Sequence, residues 1–194
     1  MAAILGIYAS QISGHLYAGP FGAYDALASV TANGTFDTVT FAGIPSGYKH
    51  LQIRAVVGHS YSGTGLGPLK INLNGDTGSN YSFHRLIGDG SSTSATATAS
   101  QTFGNWGWVS YNGNTNPYAM NIMDVLDYAS TTKAKTIRCS TGTDWNGAGV
   151  IGLYSGGWYK NTSSVYEGIN SITITSDTGY NFISNSTFAL YGVK

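Results

Sequence analysis

Hydrophobic and polar residues alternate with a period of two along most of the chain, and the 3.6-residue period of an amphipathic helix is almost absent. In the stretch YKHLQIRAVV, residues 48–57, Leu51, Ile53 and Ala55 fall on one side and Gln52 and Arg54 on the other, as in a half-buried strand. The pattern returns at Leu69, Ile71 and Leu73. The Asn74-Gly75-Asp76 that follows is turn chemistry, because Asn and Gly accept positive φ cheaply, and it predicts a hairpin into a strand with Tyr81 and Phe83 on one face. Further strands are predicted at 35–44, 103–111, 118–128, 134–141, 150–155, 169–176 and 187–193. The last of these places Phe188, Leu190 and Gly192 opposite Ala189, Tyr191 and Val193 almost up to Lys194. Chain ends fray unless something holds them, so this strand is expected inside a sheet.

Short strands separated by Gly, Ser, Asn and Thr argue for a sandwich or barrel over alternating βαβ units. The expected fold is all-β, an antiparallel β-sandwich of jelly-roll type over residues 26–194, preceded by an extended arm at 1–25. Two stretches break the alternation. GSSTSATATASQ, residues 90–101, is small and polar and predicts an exposed loop at the edge or top. Residues 1–25 carry Ile4, Leu5, Ile7, Tyr8, Ile12, Leu16 and Tyr17 between Gly14, Gly19, Pro20 and Gly22. They make either an extra strand and turn or an arm laid on a neighbouring subunit. The arm is favoured, since apolar side chains left in water are an aggregation hazard.

Charge changes the picture most. Only 9% of residues are charged, against about 25% in an ordinary domain. The nine acids cancel the nine bases, so no field exists to hold nucleic acid or cations. Such a surface opposes association weakly and suits a protein packed against others. The single cysteine, Cys139, allows no internal disulfide and is expected to be a buried apolar residue. The N-terminus lacks the basic residues of a secretory signal, and no stretch reaches the roughly 20 apolar residues of a membrane helix. The expectation is folding in a cytoplasm, without membrane contact.

Candidate chemistry is sparse. His15, His50, His59 and His84 have no spacing that would bring two onto one metal. Asp124 and Asp127, three apart in one predicted strand, fall on opposite faces, and Asp127 is expected to accept hydrogen bonds at the strand end. The run DWNGAG, Asp144 to Gly149, lacks the acids of a calcium loop and reads as a turn. No phosphate loop is present. No catalytic, cofactor or metal residue is therefore assigned. What stands out is the aromatic content, 13%. Trp106 and Trp108 would share one strand face, either filling the core or an interface, or offering a platform for a sugar ring.

The segments FAGIPSGYKHLQIR, LKINLNGDTGSNYSFHRLIGDG, MDVLDYASTTKAKTIRCSTG and GGWYKNTSSVYEGINSITITSDTGYNFISNSTFALYGVK resemble a family of small virion proteins of tailed bacteriophages. The resemblance covers about residues 36–194 and is most specific in Ser186 to Gly192 and in Gly157-Trp158 with Ile169 to Thr173. It implies a virion β-domain without a defined catalytic activity. Two functions follow as expectations. The first is a capsid decoration (cement) protein on the outer head surface, a homotrimer bound to the major capsid protein and assembled in the host cytoplasm. The second is a receptor-binding domain of a tail or head fibre that holds a host surface glycan. An enzyme such as a depolymerase ranks behind both, for want of a spaced acid pair.

Overall fold

The computed structural model describes residues 22–163, 165–176 and 179–194, and among them it contains strands and turns and no helix. In chain order the strands are β1 (Tyr24–Thr31), β2 (Thr38–Phe41), β3 (His50–His59), β4 (Leu66–Leu73), β5 (Tyr81–Gly88), β6 (Thr93–Gln101) and β7 (Gly104–Tyr111). There follow β8 (Ala119–Leu126), β9 (Lys135–Asp144), β10 (Gly149–Trp158), the short pair β11 (Asn161–Thr162) and β12 (Val165–Tyr166), β13 (Ile172–Thr175) and β14 (Thr187–Val193). The arm candidates Ile4, Leu5, Ile7, Tyr8, Ile12, Leu16 and Tyr17 lie outside the described residues.

The strands form two layers. The long layer runs β1-β14-β3-β8-β9-β10-β5-β6 with every neighbouring pair antiparallel. The short layer runs β2-β13-β4-β7, also antiparallel. They meet where Gly58 and His59 of β3 pair in parallel with Ser110 and Tyr111 of β7, the one departure from the expected antiparallel pairing. The steps β1 to β2, β3 to β4, β7 to β8 and β13 to β14 each carry the chain from one layer to the other.

Alternation explains the layering. Leu51, Ile53, Ala55 and Val57 of β3 and Phe188 and Leu190 of β14 point inward from the long layer, and Leu69, Ile71, Leu73, Ile172 and Ile174 face them from the short one. The closing strand sits between β1 and β3, and Lys194 Nζ donates to Asp25 Oδ1 at 2.8 Å. That position holds the chain end in place. Pairing from Tyr24 onward puts Tyr24 and Asp25 in the sheet, two residues ahead of the expected start at 26.

Two expectations are corrected, and one pair of alternatives is decided. The turn Asn74-Gly75 has the positive φ angles foreseen, 51° and 65°, but β4 and β5 belong to different layers and form no hairpin. Both strands direct their apolar face to the same core, which requires them to oppose each other across it. Residues 90–101 are not a loop: β6 pairs with β5 over Thr93 to Gln101, backbone hydrogen bonding prevailing over weak side-chain preference. Trp106 and Trp108 do share a face, and it is the inner one. They are 0% and 6% exposed, so neither indole offers a platform to a sugar.

These indoles lock the layers together. Trp106 meets Tyr81 at 5.8 Å between ring centroids and donates through Nε1 to Ser82 O at 3.3 Å, while Trp108 meets Tyr154 edge-on at 5.9 Å. β10 makes room by carrying Gly156, where an added Cβ would lie 2.1 Å from Trp106 Nε1 and 2.7 Å from Ser82 O. A second tie is polar. Asp76, buried after the layer-crossing turn, accepts from Trp158 Nε1 at 2.7 Å, Asn80 Nδ2 at 2.9 Å and the Gly78 amide at 2.9 Å. Burial pushes its carboxyl up, but these bonds outweigh burial and hold it below its ordinary value.

Gly156→Ala is expected to destabilise the fold by about 1–3 kcal/mol or more, through overpacking against the indole and a backbone carbonyl, measured by denaturant unfolding. Because the Asp76 carboxyl is depressed in the folded state, its contribution is present above the ordinary value of 3.8 and fades as the pH falls through the folded value. Asp76→Asn is therefore expected to cost about 1.5–3 kcal/mol at pH 7, with the gap to wild type narrowing below pH 3.8. Parallel thermal melts across pH check both statements.

Candidate functional site

In the long layer only the inward face is covered by the short layer, so alternate residues must point outward. On β8, β10 and β5 these include Met120, Ile122, Ile151, Leu153 and Leu86, which are apolar. Register assembles them into two adjoining rows. One runs Val56, Met120, Gly142, Ile151; the next runs Ile122, Ser140, Leu153, Leu86 and ends at Ala95 on β6. Val56, Met120, Ile151, Leu153 and Leu86 are 44%, 46%, 61%, 53% and 52% exposed. Gly142 and Ser140 lie low between them, giving a trough over β9. A shallow concavity of about 540 Å³ opens here between Ile122, Ser140, Leu153 and Leu86, with Asp124, Arg138 and His84 on its polar side.

That polar side is a ladder of cross-strand contacts. Arg54 lies over the rings of Tyr24 and Tyr191, 5.1 and 4.7 Å from their centroids, and donates from Nε to Gln52 Oε1 at 2.8 Å. Gln52 Nε2 donates to Asp124 Oδ1 at 2.8 Å, and Asp124 is paired across the sheet with Arg138. One row of matched polar groups thus borders two rows of unmatched apolar ones. Exposed apolar patches rimmed by polar groups are the kind of surface that contacts proteins, membranes or ligands.

A second concavity, about 590 Å³, lies at the start of β5, between Asn80, Ser82 and His84, Ala97 to Ser100 of β6, and Tyr159. Tyr159 is 52% exposed and its ring lies on Gly157, where a Cβ would come within 2.6 Å of it. The adjacent Gly156 and Gly157 therefore admit one aromatic ring each, on opposite faces of the same strand.

The remaining candidates are dispersed. His15 lies outside the described residues. His50 Nδ1 accepts from the Asp127 amide at 2.9 Å; His59 is buried between Tyr111 and Tyr180, at 4.5 and 5.2 Å; His84 faces solvent on β5. Asp127 terminates β8 with φ of 48° and accepts from Lys133 Nζ, which holds its carboxyl low, in line with a strand-end acceptor. Asp144 to Gly149 is the β9–β10 turn, with Asp144 Oδ1 accepting from the Gly147 amide at 3.1 Å. Burial pushes the Cys139 thiol up to about 12, so this cysteine is a core residue with no thiolate at neutral pH. Among the described residues no group of three or more His, Cys, Asp and Glu could hold a metal ion, and no helix is long and apolar enough to cross a membrane.

The outer rows did have a signal in the sequence. In AMNIMDVL and VIGLYS apolar residues occupy both parities, Ile122 beside Met123 and Leu153 beside Tyr154, so each strand is apolar on two faces.

Comparison with models of protein families, with curated proteins and with solved structures finds no match to this chain.

Leu153→Asp should leave folding stability within about 0.5 kcal/mol of wild type, because the side chain is outside the core, whereas Leu190→Ala should cost about 2–5 kcal/mol. Denaturant midpoints of the two variants separate an outer row from an inner one.

Proposed function

We propose that this protein is a capsid decoration (cement) protein of a tailed bacteriophage, bound to the outer surface of the head across contacts between copies of the major capsid protein. The observation that carries this reading is the pair of exposed apolar rows on the outer face of a rigid sheet, bordered by a pre-formed polar ladder. The sequence resemblance to phage virion proteins and the low charge point the same way. We read the connectivity as a jelly roll, with β1-β14-β3-β8 and β2-β13-β4-β7 as its two four-stranded sheets and β5-β6 and β9-β10 as insertions that widen one of them. Architectures of this type serve both capsids and lectins.

The mechanism is additive. Each copy joins two shell subunits through modest apolar and hydrogen-bonded contacts, so pulling the subunits apart also exposes the surface that the bridge had buried. Copies arranged as homotrimers would cover one another's apolar faces, and residues 1–21 would serve as the arm laid on the shell or on a neighbouring copy. The protein contributes no catalytic step, cofactor or metal in this reading.

A second reading, a receptor-binding domain for a host glycan, draws on the exposed Tyr159 ring beside the hydroxyl-lined concavity of β5 and β6. Trp106 and Trp108 have no part in it. Mixing the full chain with purified heads that lack it separates the two. Decoration predicts saturable binding at a copy number matching the capsomer junctions, a rise in the temperature of shell disruption, and loss of both with Leu153→Asp or on deletion of residues 1–21. Absence of binding, together with saccharide binding that Tyr159→Ala abolishes, would replace decoration by adhesion.

A further inference from the structure

The edges of the two layers differ in a way that the outer face does not explain. Open sheet edges invite other strands, and proteins blunt them with charge, proline, bulges or brevity. The edge strand β2 has four residues. At the other end of the long layer, β1 breaks register between Ala26 and Ala28 and carries Asp25, ion-paired with Lys194 at 2.8 Å. β6 has none of these protections over most of its length. It has nine residues with no charge and no proline, and among the described residues it pairs only with β5. Its irregularity is confined to the far end, where register shifts opposite Tyr81 to Phe83 and Ser100 takes φ of 56°.

The strand is also held in readiness. The β5–β6 turn is closed by Asp89, whose Oδ1 accepts from the amides of Ser91 and Ser92 at 2.9 and 2.6 Å and from the Ser91 hydroxyl at 2.9 Å. Oδ2 accepts from the Ser92 hydroxyl at 2.9 Å. These bonds, led by the Ser92 amide, hold the carboxylate low. Beyond the turn β6 overhangs the sandwich: most of its side chains are exposed, on both faces.

The sequence of the overhang decides the partner. Ser94-Ala95-Thr96-Ala97-Thr98-Ala99-Ser100 reads the same in both directions. We propose that β6 pairs antiparallel with β6 of a second copy of this chain, about a twofold axis through Ala97. Each residue then meets its own kind: Ala97 faces Ala97, Thr96 faces Thr98, and Ala95 faces Ala99. Alanine opposes alanine on one face without steric mismatch, and threonine hydroxyls bond each other on the other, a favourable cross-strand pair. No like charges meet, because none are present. The row ending at Ala95 carries the apolar outer face up to this seam, so the two copies would present one continuous surface. Small side chains bury little area, well below the roughly 1,200 Å² of a standard interface. The pairing is therefore weak in dilute solution and strong only where copies are concentrated or fixed side by side.

Cysteine placed at the axis tests this directly in the full-length chain. Residues opposite one another in antiparallel strands have Cα atoms about 4.5–5.5 Å apart, within disulfide reach. Ala97→Cys is expected to give a disulfide-linked dimer under mild oxidation at high protein concentration. Thr93→Cys, whose two copies would lie about 27 Å apart, is expected to give at least tenfold less. Wild type, with Cys139 buried, should give none. Ala97→Lys should weaken concentration-dependent association at least tenfold in sedimentation equilibrium, with an unchanged circular dichroism spectrum. Failure of Ala97→Cys to cross-link, equal cross-linking by Thr93→Cys, or identical sedimentation of wild type and Ala97→Lys would each overturn the pairing. So would protection of the introduced thiol from alkylation in a monomeric chain, since another segment would then occupy the edge.

Discussion

The governing constraint is a mismatch of widths. A long layer, β1-β14-β3-β8-β9-β10-β5-β6, is covered on one face by a short layer, β2-β13-β4-β7. A strand buried on one face needs apolar side chains on alternate residues, and β3 and β14 obey that rule on their inward face, with Gln52, Arg54, Thr187 and Ala189 among the residues outward. The added strands β9, β10 and β5 are reached across the core chiefly by β7. One strand spans that distance by carrying two indoles, and β10 accepts them by replacing side chains with Gly152 and Gly156, where a Cβ would sit 2.7 and 2.1 Å from indole atoms. Bulk on β7 and its absence on β10 are one feature seen from two sides. Past β5 nothing among the described residues covers the sheet, and β6 is exposed.

How much of this the sequence disclosed follows from the same geometry. Leu51, Ile53, Phe188 and Leu190 alternate cleanly because one of their faces is wet, and period two finds such strands at once. That the closing strand lies inside a sheet, between β1 and β3, was visible for this reason. β6 was invisible because both its faces are wet, so its side chains carry no period to detect; what makes it a strand is the backbone of β5. The turn at Asn74-Gly75 was recognisable by its residue types, yet those types report only positive φ and not which layer the next strand joins. Trp106 and Trp108 illustrate the limit for site residues. Their spacing put them on one face, and only the glycines facing them from residues roughly fifty positions later, Gly152 and Gly156, place that face inside.

Low charge fits this architecture. Ion pairs sit at the periphery, Asp25 with Lys194 at the closing strand and Asp127 with Lys133 at the end of β8, where they trim strand ends. Exposed pairs of this kind are screened by water and contribute little, so they shape ends without holding the fold. Lys135 is the exception that follows the same economy. It is almost fully buried, and its ammonium, lowered by burial, donates to the carbonyls of Ser130 and Lys133. Those bonds satisfy the Ser130 and Lys133 carbonyls of the β8–β9 connection.

Where attachment can occur is therefore restricted by what is already paired. The chain end is committed to the second strand of the long layer, between β1 and β3, the inner face is filled, and in the polar ladder beneath Tyr24 and Tyr191 Arg54 Nε is engaged by Gln52 and Gln52 by Asp124. Groups that are satisfied internally gain little from a partner, whereas exposed apolar rows gain roughly 25 cal/mol for each Å² removed from water. The rows through Met120, Ile151, Leu153 and Leu86 are thus the part of the outer face whose free energy improves most on contact, and the ladder beside them restricts the orientations in which that contact forms.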